Sequence, residues 1–81
     1  MKVCIVGWVG CCDIVIKSLG YEPDKTFEVA SEIDLMHIVW QFLQKEIFRD
    51  GEMKKINVMI AHPSDTIDYI LYIDYLKFRQ R

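Results

Sequence analysis

The sequence predicts a single mixed α/β domain spanning residues 1–81, built on a short sheet of parallel type. Three observations carry that expectation. Lys2 to Val6 (KVCIV) and Lys55 to Ala61 (KINVMIA) are near-continuous apolar runs rich in β-branched residues, the pattern of strands covered on both faces. Between them lie segments whose apolar residues recur at helical spacing. Thr26 to Ala30 (TFEVA) alternates instead, as a half-covered edge strand does.

Taken in order, the first run is strand one, followed by a loop over Gly7 to Gly10. Cys12, Val15, Ile16 and Leu19 then form a helical stripe, Gly20 stands where a C-terminal cap belongs, and Pro23 closes the segment. After the edge strand, Ser31 followed by Asp34 is a helix start related to the capping box. The helix is expected over 32–49. Met36, Val39, Trp40, Leu43 and Ile47 are its expected core stripe, and His37, Gln41, Gln44 and Lys45 its polar side. Leu35, Ile38, Phe42 and Phe48 widen the apolar sector into a face for a partner. Asp50-Gly51 is the expected stop.

The run at 55–61 is expected beside strand one, and His62-Pro63 ends it because proline cannot continue a ladder. From Ser64 onward the apolar residues are too dense to show a period. One helix to Arg79, capped by Ser64 or Asp65 with Asp68 in its first turn, is the simpler expectation. The alternative is a strand at Thr66 to Ile70 followed by a short helix. The resulting strand order is 2-1-3, with right-handed crossovers and room for a fourth, antiparallel strand.

Composition narrows the function classes. The chain is 52% hydrophobic and carries a net charge of −2. So apolar a composition in so small a domain means either a dense core or apolar surface that meets a partner, and the expectation is a partner, most simply a second copy. Nucleic acid is not expected, because the one basic cluster, Lys77, Arg79 and Arg81, also suits a helix C-terminus. No run approaches the ~20 apolar residues of a membrane span. Three cysteines, at 4, 11 and 12, suit a reducing cytoplasm better than a disulfide scaffold.

Chemistry in such a sheet collects where strands end. Cys11, just before the first helix, meets free backbone N–H groups and the positive end of the dipole, which favour thiolate. Cys12 and Cys4 read as core. Gly7 and Gly10 offer a second possibility, a phosphate cradled on backbone N–H groups, although the third glycine of the dinucleotide fingerprint is missing. His37 and His62 lack metal-ligand spacing relative to Cys11 and Cys12. Tyr69, Tyr72 and Tyr75 read as packing or interface residues.

The stretches MKVCIVGWVGCC, Lys17-Ser18-Leu19, Phe27-Glu28-Val29 and Asn57 to Ala61, in that order, resemble a small glutaredoxin in layout. The resemblance implies a thioredoxin-like, three-layer βαβαβ(β)α fold with strand order 2-1-3(-4); a flavodoxin- or Rossmann-like three-stranded parallel sheet is the alternative. It matches Cys11 to the nucleophilic cysteine and places Trp8 beside it. Ile14 stands at the resolving-cysteine position and Asn57 at the proline opening the third strand, and the glycine pair after the hairpin is missing. The implied function is a monothiol redox protein using Cys11, with glutathione as its possible thiol, or a redox-inactive derivative of that fold. Gly7, Trp8, Gly10, Cys12 and Asn57 are the binding candidates. The other readings are a non-enzymatic interaction module, a homodimer working through helix 32–49 and the C-terminal tyrosines, and a phosphate-ligand binder at the Gly7–Gly10 loop.

Overall fold

The computed structural model describes residues 1–7, 12–49 and 51–77. Its order is β1 (Lys2–Gly7), α1 (Cys12–Ser18), β2 (Thr26–Glu28), α2 (Glu32–Leu43), β3 (Glu46–Arg49), β4 (Glu52–Ala61) and β5 (Tyr69–Lys77). The strands form one five-stranded sheet in the order β2-β1-β5-β4-β3. The mixed α/β class and the edge position of β2 agree with the sequence expectation. The connectivity does not.

β2 runs antiparallel to β1, pairing Lys2 with Glu28 and Cys4 with Thr26. The connection through α1 is therefore not a parallel crossover. The run at 55–61 lies within β4, which pairs with β3 and β5 and not with β1. The neighbour of β1 is β5, among the described residues the one parallel pairing, with Ile5 opposite Leu71. The expected order 2-1-3 fails because β5 takes the central place. Ile67 to Leu76 lacks a helical period because it holds a strand: Leu71 and Ile73 are buried against the helices, and Ile70 and Tyr72, half-buried on the opposite face, are apolar as well. Neither version of a C-terminal helix survives, since Tyr69–Lys77 is strand throughout.

α2 stops at Leu43, with Gln44 as its C-cap, and residues 46–49 turn back as β3. The helix therefore never reaches the stop expected at Asp50-Gly51, and Asp50 lies outside the described residues. Arg49 pairs with Glu52, and Gly51 takes φ +77°, a left-handed backbone that favours glycine. Two local signals behave as expected. Gly20, at φ +90°, donates its N–H to the Lys17 carbonyl at 2.9 Å, closing α1. Ser31 caps α2, its Oγ accepting the Asp34 N–H at 3.3 Å.

The core is one cluster. Val3, Ile5, Ile56, Leu71 and Ile73 supply its sheet side; Cys12, Val15 and Ile16 of α1 and Leu35, Val39 and Phe42 of α2 supply its helix side. Strand alternation and the pairing register put all five sheet residues on one face. Both helices therefore cover the same face, and the sheet has two layers in place of the expected three. The stripe on α2 is rotated relative to expectation. Leu35, Val39 and Phe42 are buried, whereas Met36, Trp40 and Leu43 are exposed. Ile47 packs against the core from β3, not from the helix.

Asp68 does not open a helix. Its carboxylate accepts the Lys2 N–H at 2.7 Å and its own N–H donates to the Lys2 carbonyl at 2.9 Å. That clamp sets the register of β5 on β1. Ser64 serves a turn, its Oγ accepting from the Ile67 N–H at 3.3 Å.

Candidate functional site

The first-strand exit is where sequence reasoning placed chemistry. Trp8, Gly10 and the nucleophile candidate Cys11 lie outside the described residues. The residues flanking them are described. Gly7 ends β1 against the start of α1, and a Cβ there would stand 3.0 Å from the Cys12 Cβ and 3.3 Å from an Asp13 carboxylate oxygen. Gly7 is thus required for close strand–helix approach, whatever binds at the loop. Cys12 is fully buried in the core, as its place in the helical stripe predicts, and is no surface ligand.

Cys4 is also buried, although it points to the sheet face opposite the helices. Its strand neighbours Thr26 and Ile70 flank it. Burial pushes its thiol above the ordinary value, and the nearby Asp24 carboxylate pushes in the same direction. A thiol held neutral is a poor nucleophile.

Asn57 does not join this region. It lies on β4 opposite Asp74, with β5 between it and β1, so two strand spacings, about 10 Å, separate it from the β1 exit. The tyrosines do not form one surface either. Three-residue spacing on a helix shares a face, but on a strand it alternates. Tyr69 and Tyr75 pack against the core, while Tyr72 points to the opposite face with Met59 as its β4 neighbour. Among the described residues, no group of three or more His, Cys, Asp or Glu is placed to hold a metal, and no helix is long and apolar enough to cross a membrane.

What the structure does assemble is exposed apolar surface, in two places. The first is on α2. Ile33, Met36, Trp40 and Leu43 are 70%, 54%, 62% and 42% exposed. At 3.6 residues per turn these positions fall within about 80° of one another. The opposite flank is polar: Asp34, His37 and Gln41 line a shallow groove with Tyr21, Phe27 and Val29, and the Tyr21 hydroxyl donates to Gln41 Oε1 at 3.5 Å. That groove lies at the β2 end of the sheet, so the apolar flank is turned toward the other end, where α2 packs on β4.

The second lies on the sheet face that no helix covers, where Met59 is exposed and shares a row with the half-buried Val6 and Tyr72; in the next row Cys4 is buried and Ile70 and Ala61 are half-buried. Farther along, Phe48 and Met53 face one another across β3 and β4, 71% and 43% exposed.

Ile33 is the residue that sequence reasoning missed. Positions 35, 38, 39 and 42 and positions 33, 36, 40 and 43 both satisfy helical spacing. The first set holds the closer i, i+3, i+4, i+7 pattern, which is the signal that identifies the core face. The chain matches no protein-family model, no curated protein and no solved structure.

Proposed function

We propose that this chain is a non-enzymatic protein-interaction module of the cytoplasm. The observation that supports the reading is the exposed stripe Ile33, Met36, Trp40 and Leu43. Large apolar side chains scattered singly need no explanation, but a contiguous stripe on one helix flank marks a docking surface. Trp and Met are also residue types that interfaces enrich. On this reading α2 has two jobs, one flank closing the core and the adjacent flank receiving a partner.

The glutaredoxin-like reading is the lesser proposal. It rests on Cys11 alone, because Cys4 and Cys12 are buried, β2 is antiparallel to β1 and the segment where that family carries its last helix is strand. Phosphate binding at Gly7 and Gly10 has a competing explanation in the packing of Gly7 on Cys12.

The test is the double variant Met36→Ala/Trp40→Ala. Both side chains are exposed, so the thermal midpoint should stay within a degree or two of the parent, as surface substitutions within about 0.5 kcal/mol do. Assembly, read as mass by light scattering or as partner capture, should be lost. A drop in stability of the size seen for buried residues would show the stripe to be core and overturn the proposal.

A further inference from the structure

The sheet has an edge that the hairpin leaves uncovered. β4 runs over Glu52–Ala61, but β3 pairs only with Glu52 to Lys55. One more contact follows, the Ile56 N–H donating to the Lys45 carbonyl at 3.3 Å. In an antiparallel strand the backbone groups of alternate residues point the same way. Since the Ile56 N–H points away from β5, the N–H and C=O groups of Val58 and Ile60 do too. Among the described residues no backbone group meets them there.

This edge lacks the usual protection. Natural edge strands carry lysine, proline or other charge, or are very short. β2 is three residues long and ends in Glu28, and β3 carries Glu46. Asn57 to Ala61 carries no charge, and Met59 and Ile60 are each 45% exposed. It is also the edge toward which the apolar flank of α2 is turned.

Resting on the interaction-module reading, we infer that the partner is a second copy of this chain, joined through an antiparallel β4–β4 pairing over residues 57–61. A two-fold axis at Met59 sets Val58 against the second copy's Ile60 and Ile60 against its Val58. Each such pair exchanges N–H···O=C bonds in both directions, and the interface is isologous. The ladder ends where β3 begins, at Lys45 and Glu46 beside residues 55 and 56, and at Pro63 on the other side, so the gap accepts these five positions and no more. The axis stands perpendicular to the sheet. Both helix layers therefore lie on one side, and the two α2 helices meet flank to flank across it, covering Met36 and Trp40. Edge and flank are thus parts of one surface.

The experiment is amide exchange by NMR on the intact chain at micromolar and millimolar concentrations, with mass measured in parallel. Asn57, Met59 and Ala61 donate toward β5 and should be protected at both concentrations. Val58 and Ile60 should exchange quickly when dilute and slowly when concentrated, as the mass doubles. Ile60→Pro removes one outward N–H that β5 does not use, so it should abolish the dimer while the β4–β5 protection persists; Ile60→Lys should do the same. A chain that stays monomeric to millimolar concentration overturns the inference. So does a dimer in which Val58 and Ile60 still exchange quickly, although that result would keep the α2 surface and the interaction reading intact.

Discussion

At the scale of single residues, Cys4 shows how position overrides chemistry. Its thiol lies on the uncovered sheet face yet is buried, and both burial and Asp24 favour the neutral form. The folded pKa is raised, so its contribution to stability is full below the unfolded thiol value of about 8.5 and is lost as pH rises through the folded value. Above that lower value the unfolded chain ionises while the folded chain resists. The urea midpoint should therefore fall as pH rises above about 8.5, and Cys4→Ala should flatten that fall. Tyr21, raised by burial as well, adds the same sign at higher pH, and the alanine variant separates the two. A midpoint independent of pH in the parent would show that the thiol is hydrated.

At the scale of elements, short signals were more legible than long ones. Ser31 with Asp34 and Gly20 each mark a boundary that the structure keeps, because caps are decided by a few atoms. Ser31→Ala should destabilise by about 1 kcal/mol, the usual cost of an N-cap, measured by denaturant unfolding. No change would mean that Leu35 and Val39 hold the first turn without the cap. The end of α2 was not legible in the same way. Ile47 and Phe48 continue the helical stripe in sequence, but residues 46–49 pair with β4 as a strand. The candidate site suffered similarly. Apolar residues at 33, 36, 40 and 43 were visible, whereas which stripe faces the sheet depends on packing partners distant along the chain.

At the scale of the molecule, the centre of the sheet pairs the strands farthest apart in sequence. β1 lies between a three-residue strand and β5, and Ile73, with no exposed surface, faces the helices from β5. Ile73→Ala should cost about 2–5 kcal/mol, a large share of the stability of a domain this size, and should unfold both helices together with the sheet in one transition. Separate transitions by far-ultraviolet and tryptophan signals would show two cooperative units. A pattern apolar on every side marked the central strand, but the same density hid its secondary structure.

The Lys2–Asp68 clamp and the β1–β5 ladder carry a consequence for biosynthesis. About sixty residues of chain separate β1 from the strand that becomes its main neighbour. Until β5 has left the exit tunnel, Val3 and Ile5 have β2 and the two helices near them but no Leu71 or Ile73 to complete the cluster, so the nascent chain carries uncovered oily surface over that whole interval. Chaperone engagement that ends abruptly once residue 77 has emerged, not gradually with length, is the behaviour such a strand order dictates.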